Sequence, residues 1–156
     1  MLSDTIIITI PTSQSSAIAE TFELLIQPFI ESLSLRMLLR GVISYGTYYI
    51  SERLVIGEAL DDAAYHHNKI DWIGIALSPS LSGKRGINTL VGRSFTYYPS
   101  IPHKDRPYGG LVLNWPDFDA DRVCYSILQS ESKNGKDPKK YENTFVFYKR
   151  IVDDNK

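Results

Sequence analysis

Between Gly57 and Lys69, Ala59, Leu60, Ala63 and Ala64 mark the small apolar side of a short helix. On it Asp62 and His66 stand four residues apart, and His67 follows. Residues at that spacing share a helix face, and a carboxylate with an imidazole can begin a transition-metal site. The sequence offers no evident third ligand, so the expectation is a solvated face. A second grouping is basic: Lys84, Arg85, Arg93, Lys104 and Arg106 fall within 83–106, against Asp105 alone. Tyr97 and Tyr98 lie among them and can stack on bases. The cations are spread over more than twenty positions with no nucleic-acid motif, and a loop surface is the simpler reading. Lys84 and Arg85, beside an expected helix start, are the candidate phosphate ligands. Ser82-Gly83-Lys84 lacks the earlier glycine of a phosphate-binding loop. Cys124, between Val123 and Tyr125 with no histidine nearby, reads as a buried structural thiol. His103 lies in a proline-rich loop and receives no role.

The elements that carry these groups belong to a chain of 156 residues, 43% apolar and 22% charged. That is one domain with material for a core. Seventeen basic and eighteen acidic side chains leave a formal charge of −1. The balance argues against an obligate nucleic-acid or anionic-membrane binder. The acidic excess lies in residues 1–82, which carry four basic against nine acidic side chains. A lone cysteine makes no internal disulfide. No apolar run reaches membrane-spanning length and no signal peptide opens the chain, so the expected location is the cytoplasm.

Thr5 to Ile10 is a β-branched run stopped by Pro11, the pattern of a buried strand. Ile18, Phe22, Leu25, Ile26, Phe29, Ile30 and Leu33 recur at helical spacing, with Pro28 expected to kink or end the helix. Arg36 to Ile50 reads as strand, with Gly41 and Gly46 at a turn or a close approach. Ser51-Glu52-Arg53 turns the chain into Leu54-Val55-Ile56, a hairpin. Asp71 to Leu77 is another buried strand, with a helix expected over 79–92. Strands are expected at 95–98 and 110–115, and two closing helices at 119–133 and 138–151. Alternating strands and helices make the class α/β or α+β.

Arg40-Gly41-Val42-Ile43-Ser44-Tyr45-Gly46, Ile56-Gly57-Glu58-Ala59-Leu60-Asp61-Asp62-Ala63-Ala64-Tyr65 and Trp72-Ile73-Gly74-Ile75-Ala76-Leu77-Ser78-Pro79 resemble the second half of the class III nucleotide cyclase domain. This is the fold of adenylate and guanylate cyclases, and the chain looks most like a divergent bacterial and archaeal branch of that family. Ser3-Asp4-Thr5-Ile6-Ile7-Ile8 fits the strand leaving the family's Gly-Asp turn. The resemblance implies a ferredoxin-like sheet and a head-to-tail dimer, with 1–92 the cyclase-like half and 93–156 the C-terminal strands and helices of one domain. It also implies a chain that starts after the family's first metal-binding strand, with its Phe-Asp-x-x-Gly-Phe pattern.

The family chemistry is attack of a ribose 3′-hydroxyl on the α-phosphate, helped by two Mg²⁺ or Mn²⁺ ions on two carboxylates. Asp4 falls at the second of these metal carboxylates. The family's ribose-orienting Asn falls on Asp61, and its transition-state Arg falls on Tyr65. Leu54 occupies the purine-reading position, and Arg40, Lys84 and Arg85 are the remaining candidate nucleotide contacts. Replacing a cation by Tyr and an amide by a carboxylate removes charge stabilisation worth about 3 kcal/mol per donor. The sequence therefore points to a catalytically degenerate module that binds a nucleotide or a protein. The competing readings are a metal-dependent cyclase, turning ATP or GTP into a cyclic nucleotide and pyrophosphate, completed by another chain, and a non-functional fragment of one. Exposed sheet edges call for a cover: a homodimer first, a separate chain supplying strands, or the C-terminal helices with Tyr141, Phe145, Phe147, Tyr148 and Ile151.

Overall fold

The computed structural model describes residues 5–11, 13, 15–52, 54–82 and 92–154. Helix α1 (Ser15–Ser34) buries Phe22, Ile26, Phe29 and Leu33, one per turn along the expected face. It continues past Pro28 rather than ending there. That residue lies on the solvent side, where water can bond the carbonyl that loses its partner. The helix stops where Arg36 turns left-handed (φ 59°) and the amide of Met37 closes back on the carbonyl of Ser32.

Strand β1 (Arg40–Ile43) follows. The expected strand over 36–50 breaks after Ile43, and the chain resumes as the hairpin β2 (Tyr49–Ser51) and β3 (Leu54–Ile56), as the polar turn predicts. Helix α2 (Glu58–Lys69) then crosses back to β4 (Gly74–Leu77), which pairs parallel with β1. A helical turn α3 (Pro79–Ser82) opens the segment expected as a longer helix; 83–91 lie outside the described residues. Strands β5 (Phe95–Ile101) and β6 (Tyr108–Leu113) are antiparallel to each other, and β6 is antiparallel to β4. The main sheet has the order β1-β4-β6-β5, and the hairpin forms a second, two-stranded sheet. Helices α4 (Val123–Asn134) and α5 (Pro138–Asp154) close the chain. The fold is mixed α and β, as expected.

One element differs outright. Residues 5–11 form no strand, and Ile6, Ile7 and Ile8 are 83%, 49% and 59% exposed. A β-branched run supplies propensity, but a strand needs a partner ladder. Phe22 of α1 packs its ring 5.0 Å from Phe95 of β5, which places the first half of α1 beside that edge strand. The edge there carries Pro99 and a register irregularity between Tyr98 and Ile101, both of which oppose pairing.

The core is aromatic. Phe147 of α5 lies 4.9 Å from Trp72 and 5.0 Å from Tyr98, ring to ring, and Trp72 stacks on Tyr98. Trp115 joins Phe29, Phe147 and Tyr148. Tyr141, Phe147, Tyr148 and Ile151 are buried, so α5 is part of the core and leaves the outer edge of β1 without a hydrogen-bonded strand neighbour among the described residues. Thr144 locks α5 to the sheet: its hydroxyl accepts from the amide of Ile73 at 2.8 Å. The buried carboxylate of Asp119 accepts from Tyr148 Oη at 3.0 Å and from the first amides of α4. Cys124 is fully buried and its thiol is pushed up to about 12 by burial, so it is inert, as expected. No helix among the described residues is long and apolar enough to cross a membrane.

Candidate functional site

Helix α2 is set by its N-terminus. Gly57 adopts φ 140°, and its carbonyl receives the amides of Leu60 and Asp61. The loop from β1 wraps this end: the Ser44 hydroxyl donates to the carbonyl of Ala59, the Ala59 amide donates to Thr47 O, and Thr47 Oγ1 donates to Glu58. The hairpin is thereby tied to the start of α2.

The helix places the sequence candidates as follows. Asp61 and Tyr65 are exposed one turn apart on its outer face. The Lys69 ammonium sits 5.6 Å from the centre of the Tyr65 ring, but it is ion-paired to Asp105 at 2.9 Å. Leu54 stands exposed on β3. Arg40 donates to the carbonyl of Ile70, the residue that ends α2. That is about 13 Å along the helix axis from Asp61, at 1.5 Å per residue, so Arg40 does not join the other two. Asp4, Lys84 and Arg85 lie outside the described residues.

A different group comes together on the neighbouring stripe. Asp62 and His66, expected on a solvated face, pair at 3.6 Å between Oδ1 and Nε2, and the His66 side chain is only 15% exposed. Ser80 donates to the other oxygen of Asp62 at 2.7 Å. The rings of His103 and Tyr108 lie 6.0 Å and 6.3 Å from that of His66, and 5.6 Å from each other. His66 Nδ1, His103 Nε2 and Tyr108 Oη are buried without a hydrogen-bond partner. The tip between β5 and β6 is clasped to the end of α2 by Asp71 N to Pro102 O, Lys104 N to Lys69 O and the Ile70–His103 bridge. His103 therefore has a place in the structure that its proline-rich surroundings concealed.

Burial holds the Tyr108 hydroxyl up at about 12, with the Asp62 carboxylate adding to the rise. Burial likewise holds the His103 imidazole below its ordinary 6.5; Asp105 opposes this, while His66 and Lys69 add to it. The folded chain thus refuses a proton that the unfolded chain accepts just below pH 6.5. Stability is whole above that value and falls as pH drops through the window beneath it. Asp105, held low by the Lys69 hydrogen bond, acts only near and below its ordinary 3.8. The urea midpoint is expected to fall between pH 7.5 and 5, and His103→Gln to flatten that slope. A midpoint that rises on acidification would contradict the clasp.

Among the described residues, no three His, Cys, Asp or Glu side chains converge closely enough to hold a metal ion.

The second surface is apolar. Tyr49, Ile50, Leu54 and Ile56 of the hairpin are 60%, 55%, 48% and 50% exposed, with Tyr45 and Tyr48 exposed beside them. Alternate strand residues point to opposite faces, so both faces of this small ribbon carry apolar side chains. The signal was present in Tyr48-Tyr49-Ile50 and Leu54-Val55-Ile56, where no polar residue alternates. Comparison with protein-family models, with curated proteins and with solved structures gave no match to the chain.

Proposed function

We propose that the chain is a catalytically degenerate, cyclase-like interaction module that works as a homodimer, with the β2–β3 hairpin as its contact surface. The observation that carries this reading is the hairpin itself. Its strands are three residues each, it belongs to a sheet of its own, and it exposes large apolar side chains on both faces. A two-stranded ribbon of this size is marginal in water without a covering surface, and exposed apolar clusters of this kind mark association sites.

Between nucleotide binding and protein contact, the side chains favour contact. Leu54, at the position that reads the purine in the cyclase resemblance, offers no hydrogen bond from its side chain and is 48% exposed. Arg40 is engaged with the Ile70 carbonyl. Tyr65, at the position of the family's Arg, brings no charge.

Light scattering on the wild type is expected to give twice the chain mass of 17.7 kDa. The double variant Tyr49→Lys, Ile50→Glu is expected to give the single-chain mass with an unchanged far-ultraviolet spectrum, since both side chains are exposed. Neither protein is expected to form a cyclic nucleotide from ATP or GTP with Mn²⁺. A cyclic product lost in Asp4→Ala would overturn this reading in favour of a cyclase.

A further inference from the structure

We infer that two copies associate by strand donation: residues Ile6–Ile10 of one copy add as a fifth strand to the outer edge of β1 in the other. The inference rests on the homodimer proposed above and supplies its register-setting contact. Among the described residues, the donor is a strong strand-forming run that enters no ladder. Ile6, Ile8 and Ile10 fall on one face of an extended segment, and Ile7 falls on the other between Thr5 and Thr9. Such a run is suited to a place in a sheet with apolar cover on each side.

The acceptor is β1. Among the described residues it is the outermost strand of the main sheet and pairs only with β4. Its sequence Arg-Gly-Val-Ile contains no proline, and its ladder with β4 runs without a register shift. Just before it, Met37, Leu38 and Leu39 are exposed and extend the apolar surface. The opposite edge, β5, carries Pro99 and the irregularity between Tyr98 and Ile101. One edge is guarded and the other is open, the difference expected if the open one is used.

Donation runs between copies because the segment enters no ladder of its own chain among the described residues. The first half of α1 lies at β5, through the Phe22–Phe95 contact. The outer edge of β1 is three strand spacings away, about 14 Å at 4.8 Å each, with the sheet order β1-β4-β6-β5 between them. In a two-fold pair each copy gives one strand and receives one, so the contact closes on itself. Main-chain hydrogen bonds supply affinity in this mode, and the alternate isoleucines supply register.

Ile8→Pro tests it on the full chain. Ile8 is exposed and outside the core, so the variant is expected to fold as the wild type does. By sedimentation, Ile8→Pro is expected to weaken dimerisation at least tenfold, whereas Ile8→Val leaves it within twofold. By hydrogen exchange, the β1 amides not bonded to β4 are expected to be protected in the wild-type dimer and unprotected in Ile8→Pro. A dimer of wild-type strength in Ile8→Pro, with Tyr49→Lys, Ile50→Glu still monomeric, would overturn strand donation and leave the hairpin reading standing. Protection of β1 that does not depend on concentration would show the segment pairing with its own chain and would also overturn it. A wild type that is monomeric at every concentration would overturn both readings.

Discussion

Phe147→Ala is expected to destabilise the protein by about 3–5 kcal/mol, the usual loss for a large aromatic removed from a core. Phe147 is fully buried and is the one ring that touches Trp72, Tyr98 and Trp115 together. Its loss removes the edge-to-face contacts and leaves a hole that two indoles and a phenol cannot close without moving. For a chain of 156 residues this corresponds to a fall in Tm of roughly 10 °C. The neighbouring Val146 is 56% exposed on the same helix. Val146→Ala is expected to shift stability by less than about 0.5 kcal/mol. Thermal unfolding of the pair checks both figures, and a Phe147→Ala loss under about 1 kcal/mol would contradict the packing described.

Gly57→Ala is expected to have the second largest effect, about 3 kcal/mol, and to act on the site directly. Gly57 holds φ 140°, a region that side-chain-bearing residues occupy only at a cost of about 1–3 kcal/mol. A Cβ there would also stand 2.3 Å from the carbonyl oxygen of Thr47 and 2.7 Å from the Cα of Tyr48. Both are backbone atoms, so the loop must shift. The bonds from Ala59 to Thr47 and from Ser44 to Ala59 then give way, and the hairpin detaches from α2. Self-association is expected to weaken at least tenfold while the aromatic core keeps its near-ultraviolet spectrum. Unchanged association in Gly57→Ala would show that the hairpin need not be docked to work.

Much of this fold was legible in the sequence because its signals are local. The apolar period of α1, the hairpin around Ser51-Glu52-Arg53 and the small face of α2 appear where their patterns place them, and of the run expected as strand over 71–77 the last four residues form β4. The strand expected before Pro11 failed because pairing is not a property of the run itself. It needs an open edge within reach, and the edge near the start of α1 is guarded by Pro99. The polar cluster was hidden for a different reason. Asp62 and His66 could be paired from helical spacing, but His103 and Tyr108 arrive from a loop and a strand some forty residues later. Only the order β1-β4-β6-β5, which places β6 beside β4, brings them to α2. Asp61 and Tyr65 lie one turn apart on α2, as their spacing implies, whereas Arg40 is drawn to the far end of α2 by the Ile70 carbonyl.

Hydrogen exchange of the hairpin at two protein concentrations tests the association claim most directly. The amides of 49–56 are read in the wild-type chain well below and well above the dimerisation midpoint. Association through the hairpin predicts slower exchange there at the higher concentration, with the core strands β4 and β6 unchanged. Identical hairpin exchange at both concentrations, in a chain that light scattering shows to be dimeric, would contradict it and move the contact elsewhere on the surface.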